Sequence, residues 1–234
     1  MTSHALKSHS VRRAVGYFRP AAMSAAVSLA ALLCCSAAKA ETLLVLGDSL
    51  SAGYGLDAGR GWVALLEKRL HDTPKVEDWT VVNASISGDT TAGGLARLPE
   101  ALKQHQPQLV LIELGGNDGL RGQSVDAMKT NLSKIVELSR AENARPVLME
   151  MQIPSNYGPV YTQKFTLAYT AVANTFKVPL VPFFLAKIAT DPDRWFQEDG
   201  IHPKAEAQPQ MLDAVWPTLE PLLSSSSEAK KSGH

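Results

Sequence analysis

Short apolar runs alternate with longer amphipathic stretches along most of the chain. The short runs are Thr42–Leu46, Trp79–Asn83, Leu109–Leu114, Pro146–Met151 and Pro179–Pro182. They are nearly continuous in Leu, Val and Ile rather than alternating, as strands covered on both faces must be. Between them, Trp62–Leu70, Thr91–Gln104, Ser124–Ala141 and Thr162–Phe176 repeat apolar residues at helical spacing, for example at Met128, Leu132, Ile135 and Val136. A last helix is predicted from about Pro203, a residue suited to a first turn, to Leu223, interrupted near Pro209 and Pro217. Strand–helix alternation of this kind predicts an α/β chain, a three-layer α/β/α sandwich around a five-stranded parallel sheet. Ligands of such sheets bind beyond the carboxyl ends of the strands.

The two ends break the pattern. Residues 1–20 hold Lys7, Arg12, Arg13 and Arg19, residues 21–38 are small and apolar, and Ala38-Lys39-Ala40 follows. A charged region, an apolar region and an A-x-A site are the order of a secretory signal, expected over residues 1–40 and removed after Ala40. The processed chain would be exported, periplasmic or secreted, and would keep no stable membrane span. The domain is expected over residues 41–223, and Ser224–His234, a low-complexity run, as a disordered tail.

Removal of the signal changes the chemistry available. It takes both cysteines, Cys34 and Cys35, so no thiol remains for metal or nucleophilic work. It also takes five of the 23 basic residues and none of the 23 acidic ones. The remaining chain is mildly acidic and has no basic block, which argues against a nucleic-acid partner. There is neither an HExxH motif nor a Cys cluster, so no metal and no cofactor is expected.

Polar residues gather where the strands end. The first strand runs into Gly47-Asp48-Ser49, the second into "NASISGDTTAGG" (83–94), the third into "ELGGNDGLRG" (113–122), and "EDGIHP" (198–203) precedes the last helix. Ser49 alone reads as a helix cap, and Asp199 or His202 alone could cap the helix that follows. Together they allow more. An Asp three residues before a His can return to imidazole Nδ1, leaving Nε2 to accept a proton from a serine hydroxyl. Gly88 and Asn117, with the N–H of Ser49 itself, offer donors to an oxyanion, although Gly and Asn are also ordinary turn residues.

These blocks resemble the SGNH (GDSL) hydrolases: "GDSLS", the glycine of "ISGDTT", "GGND" and "DGIHP" stand in that family's order. Longer stretches, among them "NASISGDTTAGGLARLP", "LGGNDGLRG" and "IPSNYG", are similar to the family's bacterial thioesterase I, lysophospholipase and arylesterase branch. The likeness spans residues 42–222. It implies a flavodoxin-like sheet, Ser49 as nucleophile, His202 as base and Asp199 as its orienting group. It further implies Ser49, Gly88 and Asn117 as the oxyanion hole, and Leu120, Ile153 and Pro154 beside the acyl chain. The implied partners are small acyl esters or thioesters and lysophospholipids. Two alternatives stand beside it: a carbohydrate deacetylase on the same scaffold, and a flavin-binding electron carrier, which would not need the Asp199–His202 pair.

Overall fold

The computed structural model describes residues 1–2 and 40–231, with side chains as far as Ser224. The expected signal therefore falls outside the described residues, except at Met1, Thr2 and Ala40. Five strands, β1 (Glu41–Gly47), β2 (Trp79–Asn83), β3 (Leu109–Glu113), β4 (Arg145–Met149) and β5 (Leu180–Val181), form one all-parallel sheet in the order β2-β1-β3-β4-β5. The helices are α1 (Ser49–Ala52), α2 (Trp62–Asp72), α3 (Thr91–His105), α4 (Gly116–Leu120), α5 (Val125–Ala141), α6 (Pro159–Phe176), α7 (Pro192–Trp195) and α8 (Gln208–Lys231).

The strand order assigns the layers. The step from β1 to β2 runs one way across the sheet, and every later step runs the other. Right-handed crossovers therefore put α2 on one face and α3, α5 and α6 on the opposite face. The packing agrees: α3 lies against α5 and α5 against α6, while α2 packs on α8. The central strands are covered twice, and Leu43–Leu46 and Leu109–Ile112 are fully buried. Their unbroken apolar runs have this cause.

Helix signals are local and mostly as expected. In α5 the Ser124 hydroxyl caps the Ala127 N–H at 3.3 Å, and Met128, Leu132, Ile135 and Val136 face the core. Helix α6 begins three residues before the expected Thr162, with Pro159 in the first turn, where no N–H is needed. Strand β5 is shorter than expected because Pro179 and Pro182 bring no N–H to the ladder.

The end of the chain departs from expectation in three ways. Pro203 does not start the last helix: it bridges Phe196 in a small antiparallel pair. A 3₁₀ turn at Ala205–Ala207 follows, and α8 starts at Gln208, so Pro209 occupies its first turn instead. The helix is not interrupted at Pro217, because Pro217 and Pro221 both lie on its exposed side, where water can serve the carbonyls they leave unpaired. Its backbone stays helical to Lys231, past Leu223. The expected tail thus begins as helix, in keeping with the good helix formers Glu228, Ala229, Lys230 and Lys231.

Leu111→Ala should test the doubly covered sheet. Removing this fully buried side chain is expected to cost about 2–5 kcal/mol in urea unfolding. A change below about 1 kcal/mol would contradict the packing described.

Candidate active site

Sheet order reverses between β1 and β3, and the crevice at their carboxyl ends is the topological switch point. Ser49 lies just beyond that end of β1 and opens α1, whose N-terminus Asp48 caps by accepting from Leu50 N–H at 3.0 Å. Gly47 is opposite Glu113 in register. A β-carbon at Gly47 would come 2.7 Å from the Ser51 Cβ and 2.8 Å from Glu113 Oε2, so only glycine leaves room for the turn.

His202 arrives from the far end of the chain. The Phe196–Pro203 pair and the Gln197 N–H, which donates to the His202 carbonyl at 2.8 Å, close a tight loop with Gly200 at φ +68°. Within it, Asp199 Oδ1 accepts from the N–H groups of Ile201 (2.9 Å) and His202 (3.0 Å), while Oδ2 lies 2.7 Å from His202 Nδ1. Burial works to raise the Asp199 carboxyl, but the bonds from His202 and Ile201 outweigh it and lower it to about 2. An ionised carboxylate only accepts, so Nδ1 carries the proton and Nε2 is the acceptor. Ser49 Oγ lies 2.8 Å from that Nε2, across 153 residues of sequence.

The remaining site residues come from two loops. Asn117, in α4, donates from Nδ2 to Asp48 Oδ2 at 3.1 Å, which fixes which way its amide points and leaves its second N–H for the cavity. Gly88, φ +79°, is the third residue of a turn closed by Asp89 N–H on the Ile86 carbonyl at 3.1 Å, a position that requires positive φ. Arg121 holds that turn by donating to the Gly88 carbonyl at 2.8 Å. Asp48, Ser49, Gly88, Asn117 and His202 line a cavity of about 680 Å³. Leu120, Ile153 and Pro154 line it too, together with Met151, Phe183 and Leu185.

Several supporting residues were not singled out from sequence. Arg97, on α3, donates to Asp89 Oδ2 (2.7 Å), to the Gly47 carbonyl (3.2 Å) and to the Ala84 carbonyl. One guanidinium thus ties together the ends of β1 and β2 and the Gly88 turn. Asp118, buried, receives the Thr91 N–H at 2.8 Å and hydroxyl at 2.5 Å, joining α4 to the start of α3. Glu113, fully buried beneath α1, accepts from Ser51 Oγ at 2.6 Å and Asp48 N–H at 3.2 Å. Its other oxygen has no partner among the described residues. The only sequence signal for Glu113 is a carboxylate ending an otherwise apolar run; Arg97 has none, since an arginine on an amphipathic helix reads as surface.

The two buried carboxyls have unusual acidities. Burial raises Asp48 to about 6, against the bonds from Leu50 and Asn117 that favour its charge. Burial, reinforced by the Asp48 charge, pushes Glu113 well above the usual carboxylate range. Among the described residues, no three His, Cys, Asp or Glu side chains cluster as metal ligands would, and no helix is long and apolar enough to cross a membrane.

Residues 45–208 match the GDSL-like lipase/acylhydrolase family. The chain is 54% identical over 195 residues to esterase TesA of Pseudomonas aeruginosa, covering 83% of this chain and 96% of that protein. It is 49% identical over 192 residues to thioesterase 1/protease 1/lysophospholipase L1 of Escherichia coli strain K12, covering 82% and 89% respectively. The crystal structure of the psychrotrophic esterase EstA from Pseudoalteromonas sp., inhibited by monoethylphosphonate, superposes with a TM-score of 0.74 at 44% identity, over 78% of this chain and 98% of that one. The chain belongs to the GDSL-like lipase/acylhydrolase family, the SGNH hydrolases, and it is an enzyme that hydrolyses small esters and thioesters.

Glu113→Gln should separate the buried acid from the fold. A carboxyl whose pKa is raised by folding favours the fold below its unfolded pKa and loses that contribution as pH rises through its folded pKa. The substituted amide keeps an acceptor for Ser51 and has no such loss. The variant is therefore expected to gain stability relative to the native chain as pH rises above about 4, the ordinary range of an unfolded glutamate, in urea unfolding. Parallel pH profiles would contradict a buried neutral acid.

Proposed function

We propose that the protein is an exported serine hydrolase that cleaves acyl esters and thioesters through an acyl-Ser49 intermediate. The observation that carries this reading is the unbroken chain Ser49 Oγ–His202 Nε2 and His202 Nδ1–Asp199 at 2.8 and 2.7 Å, opening on a largely apolar cavity. Ser49 Oγ attacks the carbonyl carbon as His202 Nε2 takes its proton. Asp199 keeps the imidazole in the required tautomer and stabilises the imidazolium. The negative charge reaching the carbonyl oxygen meets the second Asn117 N–H, the Gly88 N–H and the Ser49 N–H. The carbon–oxygen or carbon–sulfur bond then breaks, and His202 returns the proton to the leaving alcohol or thiol. Water, deprotonated by the same imidazole, attacks the acyl-enzyme; Ser49 leaves with the proton and the carboxylic acid is released.

The apolar wall at Leu120, Ile153 and Pro154 supports an acyl chain rather than a sugar as the group held, and lysophospholipids are within that class. The signal-like order of charge, apolar run and A-x-A in residues 1–40 supports export to the periplasm or beyond.

Ser49→Ala is expected to remain folded and to lose p-nitrophenyl ester hydrolysis by about 10³-fold or more in kcat. Comparable turnover would dismiss Ser49. Asn117→Ala should lower kcat by about 10²-fold with a smaller change in KM, because its donor acts on charge that exists only in the transition state. A loss confined to KM would remove Asn117 from the oxyanion hole.

A further inference from the structure

One aromatic side chain at the site takes no part in the steps above. Tyr54 sits between Gly53 (φ +75°) and Gly55 (φ +74°), two left-handed residues that turn the chain out of α1 and back again. It is about half exposed, at 52%. An exposed loop tyrosine is ordinarily free to turn, but the backbone beneath this one is fixed. Gln197 Nε2 donates to the Tyr54 carbonyl at 2.9 Å, and the Gln197 N–H donates to the His202 carbonyl at 2.8 Å. The same residue therefore registers the Tyr54 loop against the His202 loop. A β-carbon at Gly55 would strike the Gln197 amide at 2.3 Å, so the glycine is needed for this contact. The outcome is a tyrosine ring 4.4 Å from the imidazole of His202, centroid to centroid, with the planes 38° apart.

The position has a chemical meaning. His202 Nε2 must hand its proton to the departing oxygen or sulfur, so the leaving group has to lie beside the imidazole. Tyr54, Gly200 and Ile201 line the cavity with His202. Ile201 is also exposed, at 46%, so the groups beside the imidazole are open to solvent and a bulky leaving group can project there. An aryloxide departing from the acyl carbon beside His202 would have the Tyr54 ring to stack on, whereas an alkoxide or alkyl thiolate has no ring to stack.

We propose that Tyr54 is the specificity residue for the leaving group, a platform that favours aryl esters over alkyl esters of the same acid. This rests on the acyl-serine reading, and the two are separable. Esters of one acid give one acyl-enzyme, so deacylation is common to them, and kcat/KM, which reports acylation alone, reads the leaving-group discrimination.

The experiment compares phenyl and ethyl butyrate with the native chain, Tyr54→Phe, Tyr54→Leu and Ser49→Ala, with thermal melting as a check on folding. Tyr54→Phe is expected to keep the native aryl-to-alkyl ratio of kcat/KM. Tyr54→Leu is expected to lower that ratio by about 2- to 12-fold, the range for one aromatic pair. If Tyr54→Leu slows both esters equally, Tyr54 only supports His202 and the proposal is overturned; an unchanged ratio with unchanged rates overturns it as well. Activity surviving in Ser49→Ala would instead remove the acyl-serine reading on which the proposal stands.

Discussion

The contact between Ser49 and His202 is the constraint around which the other features of the site are arranged. It joins the first strand end to a loop 153 residues later, and neither partner has local reason to find the other. Three devices bring them together. The missing side chain at Gly47 lets the chain turn sharply into α1. The Phe196–Pro203 pair and the Gln197 bond to the His202 carbonyl shape the second loop. Asp199 then uses both carboxylate oxygens inside that loop, with two backbone donors on one and the imidazole on the other. The ring is aimed before any substrate arrives, which is what preorganisation requires.

Beneath Ser49 the molecule accepts a stability cost. Asp48 and Glu113 are buried carboxyls within one hydrogen-bonded group, and among the described residues neither has a cationic partner at hydrogen-bond distance. Raising Asp48 to about 6 corresponds to about 3 kcal/mol of stability forgone at neutral pH. Asp48 also orients Asn117 and caps α1, so the cost secures two of the groups that face the cavity. Glu113 holds Asp48 and Ser51 from below. The contrast with Asp199 is instructive: an exposed carboxylate rich in donors is lowered, while a buried one poor in donors is raised.

The sheet was legible in the sequence because its central strands are covered on both faces, which leaves an unbroken apolar signature at Leu43–Leu46 and Leu109–Ile112. The candidates Ser49, Gly88, Asn117, Asp199 and His202 could be picked out because they stand in short polar segments between apolar runs, where chemistry-bearing residues differ from their neighbours. The short helices α1 and α4 were not legible, since four or five residues hold no period. Pro203 misled because proline suits a first helical turn and an edge bridge equally well. The roles of Arg97 and Glu113 were hidden for a different reason: they depend on backbone carbonyls and side chains tens of residues away, and no local pattern encodes that, although a carboxylate closing the apolar run marks Glu113. Tyr54 is intermediate, for its flanking glycines are visible but its imidazole partner is not.

Covalent labelling tests the central claim most directly. The intact chain treated with an organophosphonate ester should gain one phosphonyl group, located by peptide mass spectrometry on Ser49, and His202→Ala should slow that labelling by orders of magnitude. An adduct on another residue, or equal labelling rates with and without the imidazole, would mean that the 2.8 Å contact does not activate the serine.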